Sequence, residues 1–88
     1  MWMDESAVAA TLREYVVREI LEGAGEDFDS QTPLLEWGIL NSMEIVRLVA
    51  FIRATYGVEI PAEAVTPNHF RTVDAIAHLV IDPTGGRA

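Results

Sequence analysis

The apolar residues of segment 7–22 fall on one side of a helix. Val8, Leu12, Val16 and Ile20 are four residues apart, and most of the charged residues lie off this stripe. This spacing predicts an amphipathic first helix. Its start and stop residues are also present, with Asp4 or Ser6 available as the cap and Gly23 and Gly25 available to end it.

Two further helices are predicted, over residues 42–55 and 73–81. Gly57 stands where a left-handed residue would end the first of them, and Thr72 can cap the second. Both segments have an inward-facing stripe, which is Ile45, Leu48, Val49, Ile52 and then Tyr56 in the first, and Val73, Ile76, Ala77 and Val80 in the second.

The segments between these helices have different characters. Pro61 and Pro67 interrupt residues 58–70, so that only short helical turns fit there, and Phe70 is expected in the core. Residues 23–40 form a long connection, but its stretch "PLLEWGIL" is too apolar to remain in water. We therefore expect this loop to pack against the helices, with Trp37 as its core anchor. With no strand-like alternation beyond a short "GVEI", the predicted fold is all-α, a small helical bundle.

Composition limits the kinds of function that this chain can have. Its 88 residues predict one domain, residues 1–82, followed by a disordered tail, residues 83–88. Cysteine is absent, which excludes disulfides and thiolate–metal sites. No stretch approaches the ~20 apolar residues of a membrane span, and the N-terminus does not resemble a signal peptide. We therefore expect a cytoplasmic protein that does not enter membranes.

The net charge of −8 is unevenly distributed. Residues 1–44 hold ten acidic residues and two arginines, whereas residues 45–88 hold four of each. Such a surface repels phosphate backbones, so we expect no nucleic-acid partner. The acidic run of residues 22–29 lacks the ligand spacing of a calcium loop, and no metal site is predicted.

The most informative stretch is "GILNSMEIVRLV", residues 38–49, where Asn41 and Ser42 both stand at a helix start. If Asn41 is the cap, Glu44 is the third helical residue and the pattern is close to a capping box. This alignment satisfies more backbone donors than a cap at Ser42. It also leaves the Ser42 hydroxyl free at a helix N-terminus, where an attached phosphodiester would be stabilised.

Three roles remain open for Ser42 on these residues alone. It could simply begin a helix, accept a modifying group, or act as a nucleophile. A serine nucleophile needs a base within reach, and the histidines of this chain are His69 and His78, with no G-x-S-x-G motif around Ser42.

Residues 31–80 resemble the acyl and peptidyl carrier proteins. The resemblance lies in "TPLLEWGILNSMEIVRLVAFI" and "YGVEIPAEAVTPNHFRTVDAIAHLV". The family pattern is a leucine-rich loop, then Asp-Ser-Leu or Asp-Ser-Met before an apolar-striped helix, and later a segment like V-x-I-P followed by F-x-T-V. The chain looks like the free-standing carriers of natural-product pathways, and "DSQTPLLEWGILNSM" is most similar to carriers of aminoacyl or proline-derived pyrrolyl groups.

This resemblance implies a right-handed four-helix bundle with a long first loop and a short third helix. It also implies a non-catalytic protein, expected to be a monomer, with a 4′-phosphopantetheine arm on Ser42 whose thiol holds cargo as a thioester. The implied partners are a phosphopantetheinyl transferase that uses coenzyme A and magnesium, an adenylating or acyl-loading enzyme, and cargo-modifying and acceptor enzymes. The alternative is a helical protein–protein interaction module without a prosthetic group.

Two departures from the family pattern concern recognition. Asn41 stands where the family usually has Asp, which keeps the cap but removes a negative charge and puts the choice of transferase in question. The outward positions of the second helix are apolar or carry Arg47 and Arg53, where fatty-acid carriers are acidic. The predicted partner-binding residues are Met43, Val46, Arg47 and Ala50 on this helix, Ile39 and Leu40 in the loop, and His69.

Overall fold

The computed structural model describes residues 4–23 and 28–82. All regular secondary structure in these two ranges is helical, which confirms the all-α prediction. The predicted tail, residues 83–88, and the stop residue Gly25 lie outside the described residues. The elements in chain order are α1 (Glu5–Tyr15) with a π-helical turn (Val16–Ile20), α2 (Ser42–Tyr56), a 3-10 turn (Ala62–Ala64) and α3 (Val73–Ile81).

Helix α1 begins at the predicted cap, because the side chain of Asp4 accepts from the Ser6 amide at 3.3 Å. Its predicted stripe is buried at Val8, Leu12 and Val16. The α-helical geometry ends at Tyr15, earlier than predicted, and the chain continues as a π-helical turn. The extra residue in this turn has no signature in the 3.6-residue apolar pattern.

Helices α2 and α3 have the predicted caps, and α2 ends at Tyr56, one residue later than predicted. The N–H of Gly57 donates to the Arg53 carbonyl with a φ of +69°, the left-handed conformation that favours glycine at the end of α2. Thr72 Oγ1 accepts from the Ala75 amide at 3.1 Å at the start of α3. Five of the nine residues of α3 are buried, and this helix packs against α1.

The third helix of the expected four-helix bundle is reduced to one 3-10 turn, Ala62–Ala64. Pro61 precedes it in extended conformation, and a separate turn containing Pro67 leads to Phe70, which is fully buried as predicted. Pro67 begins the second turn and prevents the two turns from merging into one longer helix, because proline removes a backbone donor and restricts the residue before it.

The long connection is folded against the helices, as predicted. Leu34 and Leu40 are buried, and the Leu34 amide donates to the Arg71 carbonyl at 2.8 Å. The prediction for Trp37 was wrong, since 59% of this residue is exposed. The leucines supply the apolar contacts of the loop with the core, and the indole is left on the surface.

Within residues 4–23 and 28–82, no helix combines the length and the hydrophobicity that a membrane crossing requires.

Candidate functional site at the start of helix α2

Asn41 caps helix α2, as the sequence predicts. Its backbone is extended, with φ −114° and ψ −174°, and its Oδ1 accepts from the Glu44 amide at 3.0 Å. Its carbonyl oxygen accepts from the Ile45 amide at 2.9 Å. The side chain of Asn41 therefore performs the capping that Ser42 would otherwise supply.

Ser42 is the first residue of α2, and it is exposed. Its hydroxyl makes no hydrogen bond within the described part of the chain. The amides of Ser42 and Met43 also have no acceptor among those residues, as expected for the first turn of a helix. An anion joined to the hydroxyl would meet these N–H groups and the positive end of the helix dipole.

The capping box is only half formed. The Glu44 carboxylate does not return to the Asn41 amide, and its Oε2 lies 3.8 Å from Nη1 of Arg47. Arg47 also approaches the end of the first helix, with its Nη2 3.9 Å from Oε1 of Glu19. Glu19 is in turn bonded to Arg18 at 3.1 Å. These charges form a chain from the π-helical turn to the start of α2, and their sum is zero.

The loop that leads to Ser42 is held by the start of α3. The Asp74 carboxylate accepts from Ser30 Oγ at 3.2 Å and from the Gln31 side-chain amide, and the Asp74 amide donates to the Ser30 carbonyl at 3.0 Å. Further along, the Ile39 and Leu40 amides both donate to the Leu34 carbonyl. The backbone is therefore fixed from Ser30 to Asn41.

Four of the predicted partner-binding residues are exposed on α2: Met43, Val46, Arg47 and Ala50. The other three predicted partner-binding residues, in the loop and in the turn before Phe70, are less exposed. Ile39 is half-buried, and Leu40 is only 3% exposed, so Leu40 belongs to the core and its assignment to a partner surface was wrong. His69 is half-buried, with Nδ1 3.0 Å from Thr66 Oγ1.

Trp37, five residues before Ser42 in sequence, is an exposed residue that the sequence did not reveal. Its amide donates to the Pro33 carbonyl at 3.1 Å, inside a turn that closes at Gly38. The φ of Gly38 is +71°, a conformation that side chains disfavour. Proline and glycine four and one residues away indicate a turn, but nothing in the local pattern indicates which side of it faces the solvent.

An open groove of about 570 Å³ runs along α2 on the exposed side. It starts at Val46, one helical turn beyond Ser42, and its walls are mostly apolar. The residues that line it include Val46, Val49, Ala50 and Ile60, together with Arg53 and Glu59.

The described residues do not form a nucleophilic serine site. His69 is engaged by Thr66, and His78 Nδ1 lies 3.4 Å from Glu5 Oε1 on another face. Neither histidine is hydrogen-bonded to Ser42, and a serine nucleophile requires such a base.

The family profile for the phosphopantetheine attachment site matches residues 10–80 of this chain. The chain therefore belongs to the acyl and peptidyl carrier proteins, which carry 4′-phosphopantetheine and are not enzymes. The free hydroxyl, the two open amides and the helix N-terminus at Ser42 fit an attached phosphodiester.

Two relatives make the comparison more specific. The chain is 36% identical over 69 residues to "Probable acyl carrier protein PigG" of Serratia sp. (strain ATCC 39006), covering 78% of this chain and 79% of that protein. It is also similar to a chain in a solved structure described as "Crystal structure of FAD-dependent dehydrogenase". That match has 44% identity and a TM-score of 0.73, and it covers 77% of this chain and 96% of the other.

Proposed function

We propose that this carrier protein tethers an acyl or aminoacyl group on a 4′-phosphopantetheine arm at Ser42 and presents it to the enzymes of a secondary-metabolite pathway. The observation that carries this proposal is the division of roles between two neighbouring residues. Asn41 caps α2 through its own side chain, and the exposed Ser42 hydroxyl remains without a hydrogen-bond partner in the described part of the chain.

Installing the arm is a substitution at phosphorus. Ser42 Oγ forms a bond to the pantetheine-side phosphorus of coenzyme A, the bond from that phosphorus to the adenosine bisphosphate breaks, and the hydroxyl proton passes to a base of the transferase. The product is a phosphodiester with one negative charge beside the open amides of Ser42 and Met43. Once bound, the arm supplies a thiol that holds the cargo as a thioester.

The cargo that we propose is a prolyl group that becomes a pyrrolyl group while it is tethered. The similarity to a chain from a structure described as an FAD-dependent dehydrogenase supports a flavoenzyme as one of the partners. Converting the saturated ring to pyrrole removes four hydrogens, which corresponds to two successive two-electron transfers to flavin. An electron acceptor such as dioxygen must reoxidise the flavin after each transfer.

This cargo implies at least two further partners besides the transferase and the dehydrogenase. An adenylating enzyme or another acyl-loading enzyme must form the thioester, since the carrier itself has no catalytic site among its described residues. An acceptor enzyme must then remove the finished group.

The test of the attachment site is the intact mass of the protein after incubation with coenzyme A, magnesium and a broad-specificity phosphopantetheinyl transferase. We expect a gain of one phosphopantetheinyl group, and no gain for Ser42→Ala. If the unchanged protein gains nothing with several transferases, Asn41→Asp restores the charge found in the family pattern. Failure of that variant as well would overturn the proposal.

The cargo is tested separately. The same transferase, supplied with prolyl-coenzyme A, would deliver the loaded carrier in one step. Incubation with an FAD-dependent dehydrogenase and dioxygen should then lower the mass of the arm by four hydrogens, and the carrier loaded with alanine serves as the control. A loaded carrier that several such dehydrogenases leave unchanged would contradict the pyrrolyl cargo and leave the attachment site standing.

A further inference from the structure

Glu44 stands at the third position of α2, where a glutamate can close a capping box. In a closed box its carboxylate would turn back and accept from the Asn41 amide, next to Ser42. The box is open in this structure, because the Asn41 amide makes no hydrogen bond to any described residue. A donor that the carboxylate could use is therefore left unused.

Arg47, one turn further along α2, holds the Glu44 carboxylate. Its Nη1 lies 3.8 Å from Glu44 Oε2, and its Nη2 lies 3.9 Å from Oε1 of Glu19 in the π-helical turn. Arg47 thus bridges carboxylates from two different elements. Each of these partly exposed ion pairs is weak, but a small energy difference is enough to decide which of two staggered rotamers Glu44 adopts.

The alternative rotamer of Glu44 would conflict with the arm. The amides of Asn41, Ser42 and Met43 have no acceptor among the described residues, and they would stabilise a phosphodiester on the Ser42 hydroxyl. A carboxylate folded back onto the Asn41 amide would occupy one of these donors. It would also place a second negative charge beside the phosphate, and like charges a few ångströms apart repel each other.

We propose that Arg47 is a positioning residue for attachment of the arm, and that it acts by holding the Glu44 carboxylate away from the open amides around Ser42. This inference rests on the proposed function, because it takes Ser42 as the residue that receives the arm. Arg47 has no contact with the reacting atoms in this role. It keeps the N-terminus of α2 free of negative charge, and Glu19 supplies the second carboxylate that anchors its guanidinium.

The kinetic test is a double-mutant cycle on Arg47 and Glu44, with coenzyme A, magnesium and a broad-specificity phosphopantetheinyl transferase. We expect Arg47→Gln to lower kcat for installation of the arm about fivefold with little change in KM, the effect of two like unit charges about 4 Å apart in water. Glu44→Ala alone should change kcat little. Arg47→Gln combined with Glu44→Ala should recover the kcat of the unchanged protein, and Arg47→Lys, which keeps the charge, should stay close to it.

Arg71→Gln is the matched control for Arg47→Gln. Arg71 is exposed, lies outside α2 and has no ion pair to the described residues, so the same loss of charge there should leave kcat unchanged. If Arg47→Gln lowers kcat and the added Glu44→Ala does not restore it, or if only KM changes, Arg47 contacts the transferase directly and the proposal is overturned. Equal kcat values for Arg47→Gln and Arg71→Gln would overturn it as well.

A second measurement needs no kinetics. In the bare Arg47→Gln protein the amide proton of Asn41 should move downfield in NMR spectra, because it gains the Glu44 carboxylate as a charged acceptor. Arg47→Gln should also melt at a lower temperature with the arm than without it. An unmoved Asn41 resonance together with equal melting temperatures would contradict the role of Arg47 and leave the carrier function standing. If the unchanged protein receives no arm at all, the proposed function itself fails.

Discussion

Asn41 and Ser42 divide two tasks that a single serine often performs at a helix start. Asn41 supplies the oxygen that accepts from the Glu44 amide, so the Ser42 oxygen is not needed for capping. A serine that capped α2 would have to give up that hydrogen bond whenever its hydroxyl reacted. In the proposed function, the oxygen that receives the arm and the oxygen that caps the helix therefore belong to different residues.

Replacing Asn41 should therefore separate stability from attachment. We expect Asn41→Ala to lower the free energy of unfolding by about 1 kcal/mol, the usual cost of losing an N-cap, and to slow installation of the arm as Ser42 turns toward the open amides. Asn41→Asp should keep the stability, because both side chains cap well. Urea denaturation and the rate of mass gain measure the two effects.

The control for that experiment is Asn68→Ala, at an exposed asparagine in the turn before Phe70. This substitution should change stability by no more than about 0.5 kcal/mol, as is usual for surface positions. If Asn41→Ala and Asn68→Ala lowered the free energy of unfolding equally, the capping role of Asn41 would be contradicted.

The spacing of neighbouring residues predicted the structural roles of some residues but not of others. The cap at Asn41 follows from the residues immediately around it, as does the left-handed Gly57, and the structure confirms both. The exposure of Trp37 depends on contacts between distant segments, such as the bond from the Leu34 amide to the Arg71 carbonyl. A pattern read along one segment contains no information about such contacts, so the expected core anchor proved to be a surface residue.

At the scale of elements, the connection before α2 behaves as a folded unit. Asp74 joins its start to α3, and Leu34 joins its middle to Arg71. The position of Ser42 is therefore set by α3 as well as by α2. This explains how a connection longer than usual can be ordered in a small domain.

Asp74→Ala should loosen this connection. The carboxylate accepts from Ser30 and from the exposed Gln31, so its removal costs about 0.5–1.5 kcal/mol, because water can reach donors that are not fully buried. We expect faster hydrogen exchange at the Leu34 amide, measured by NMR, because local opening becomes easier.

Glu63→Ala provides the comparison for Asp74→Ala. Glu63 is an exposed carboxylate in the 3-10 turn, and it has no side-chain hydrogen bond or ion pair to the described residues. Exchange at Leu34 should not respond to its removal. Equal exchange rates in the two variants would show that Asp74 does not hold the loop.

The elements themselves were predictable to different degrees. Helix α3 was predicted residue for residue, because Thr72 and a regular apolar stripe define it. The π-helical turn after Tyr15 was missed, since an inserted residue in a helix leaves the surrounding apolar pattern nearly intact. The prolines indicated short turns after α2, but the family resemblance still led us to expect a third helix.

At the scale of the whole molecule, the acidic charge lies mostly away from the exposed face of α2. Residues 1–44 carry the whole imbalance, whereas the outward positions of α2 carry Arg47 and Arg53. Arg47 lies beside Glu19 and Glu44, but Arg53 has no ion pair among the described residues. Arg53 is therefore the cation on this face that remains open to a partner.

Reversing these charges should slow the transfer of cargo to the arm by the adenylating or acyl-loading enzyme that recognises this carrier. We expect both Arg47→Glu and Arg53→Glu to lower kcat/KM for loading of the holo carrier. The effect of Arg53→Glu should come from the partner alone, whereas Arg47→Glu also repels Glu19 and Glu44 within the chain. Unchanged loading kinetics in both variants would show that the face of α2 is not recognised.

Arg71→Glu is the matched control for the charge reversals. Arg71 is exposed, lies outside α2, and has no side-chain ion pair to the described residues. The same change in net charge at this position should leave loading unchanged. An equal decrease in kcat/KM for Arg71→Glu would indicate a long-range charge effect and not a contact on α2.

The same charge distribution predicts poor recognition by enzymes of fatty-acid synthesis that bind an acidic helix through basic patches. A transferase of that type should install the arm with a higher KM than a broad-specificity transferase does. Replacing Arg47 and Arg53 together by Glu should lower the KM of the fatty-acid transferase toward that of the broad-specificity transferase. A low KM for the unchanged protein with the fatty-acid transferase would refute the prediction.

The unengaged hydroxyl of Ser42 has a thermodynamic consequence. Because no hydrogen bond in the described structure depends on that oxygen, adding the arm breaks nothing that holds the fold together. The unfolding curves of the bare and the armed protein should nearly superimpose. The new phosphodiester adds only the interaction of one charge with the helix dipole, about 0.3–1 kcal/mol in favour of the armed form. In the proposed function, the chain would therefore fold before the transferase acts, without needing the arm for its stability.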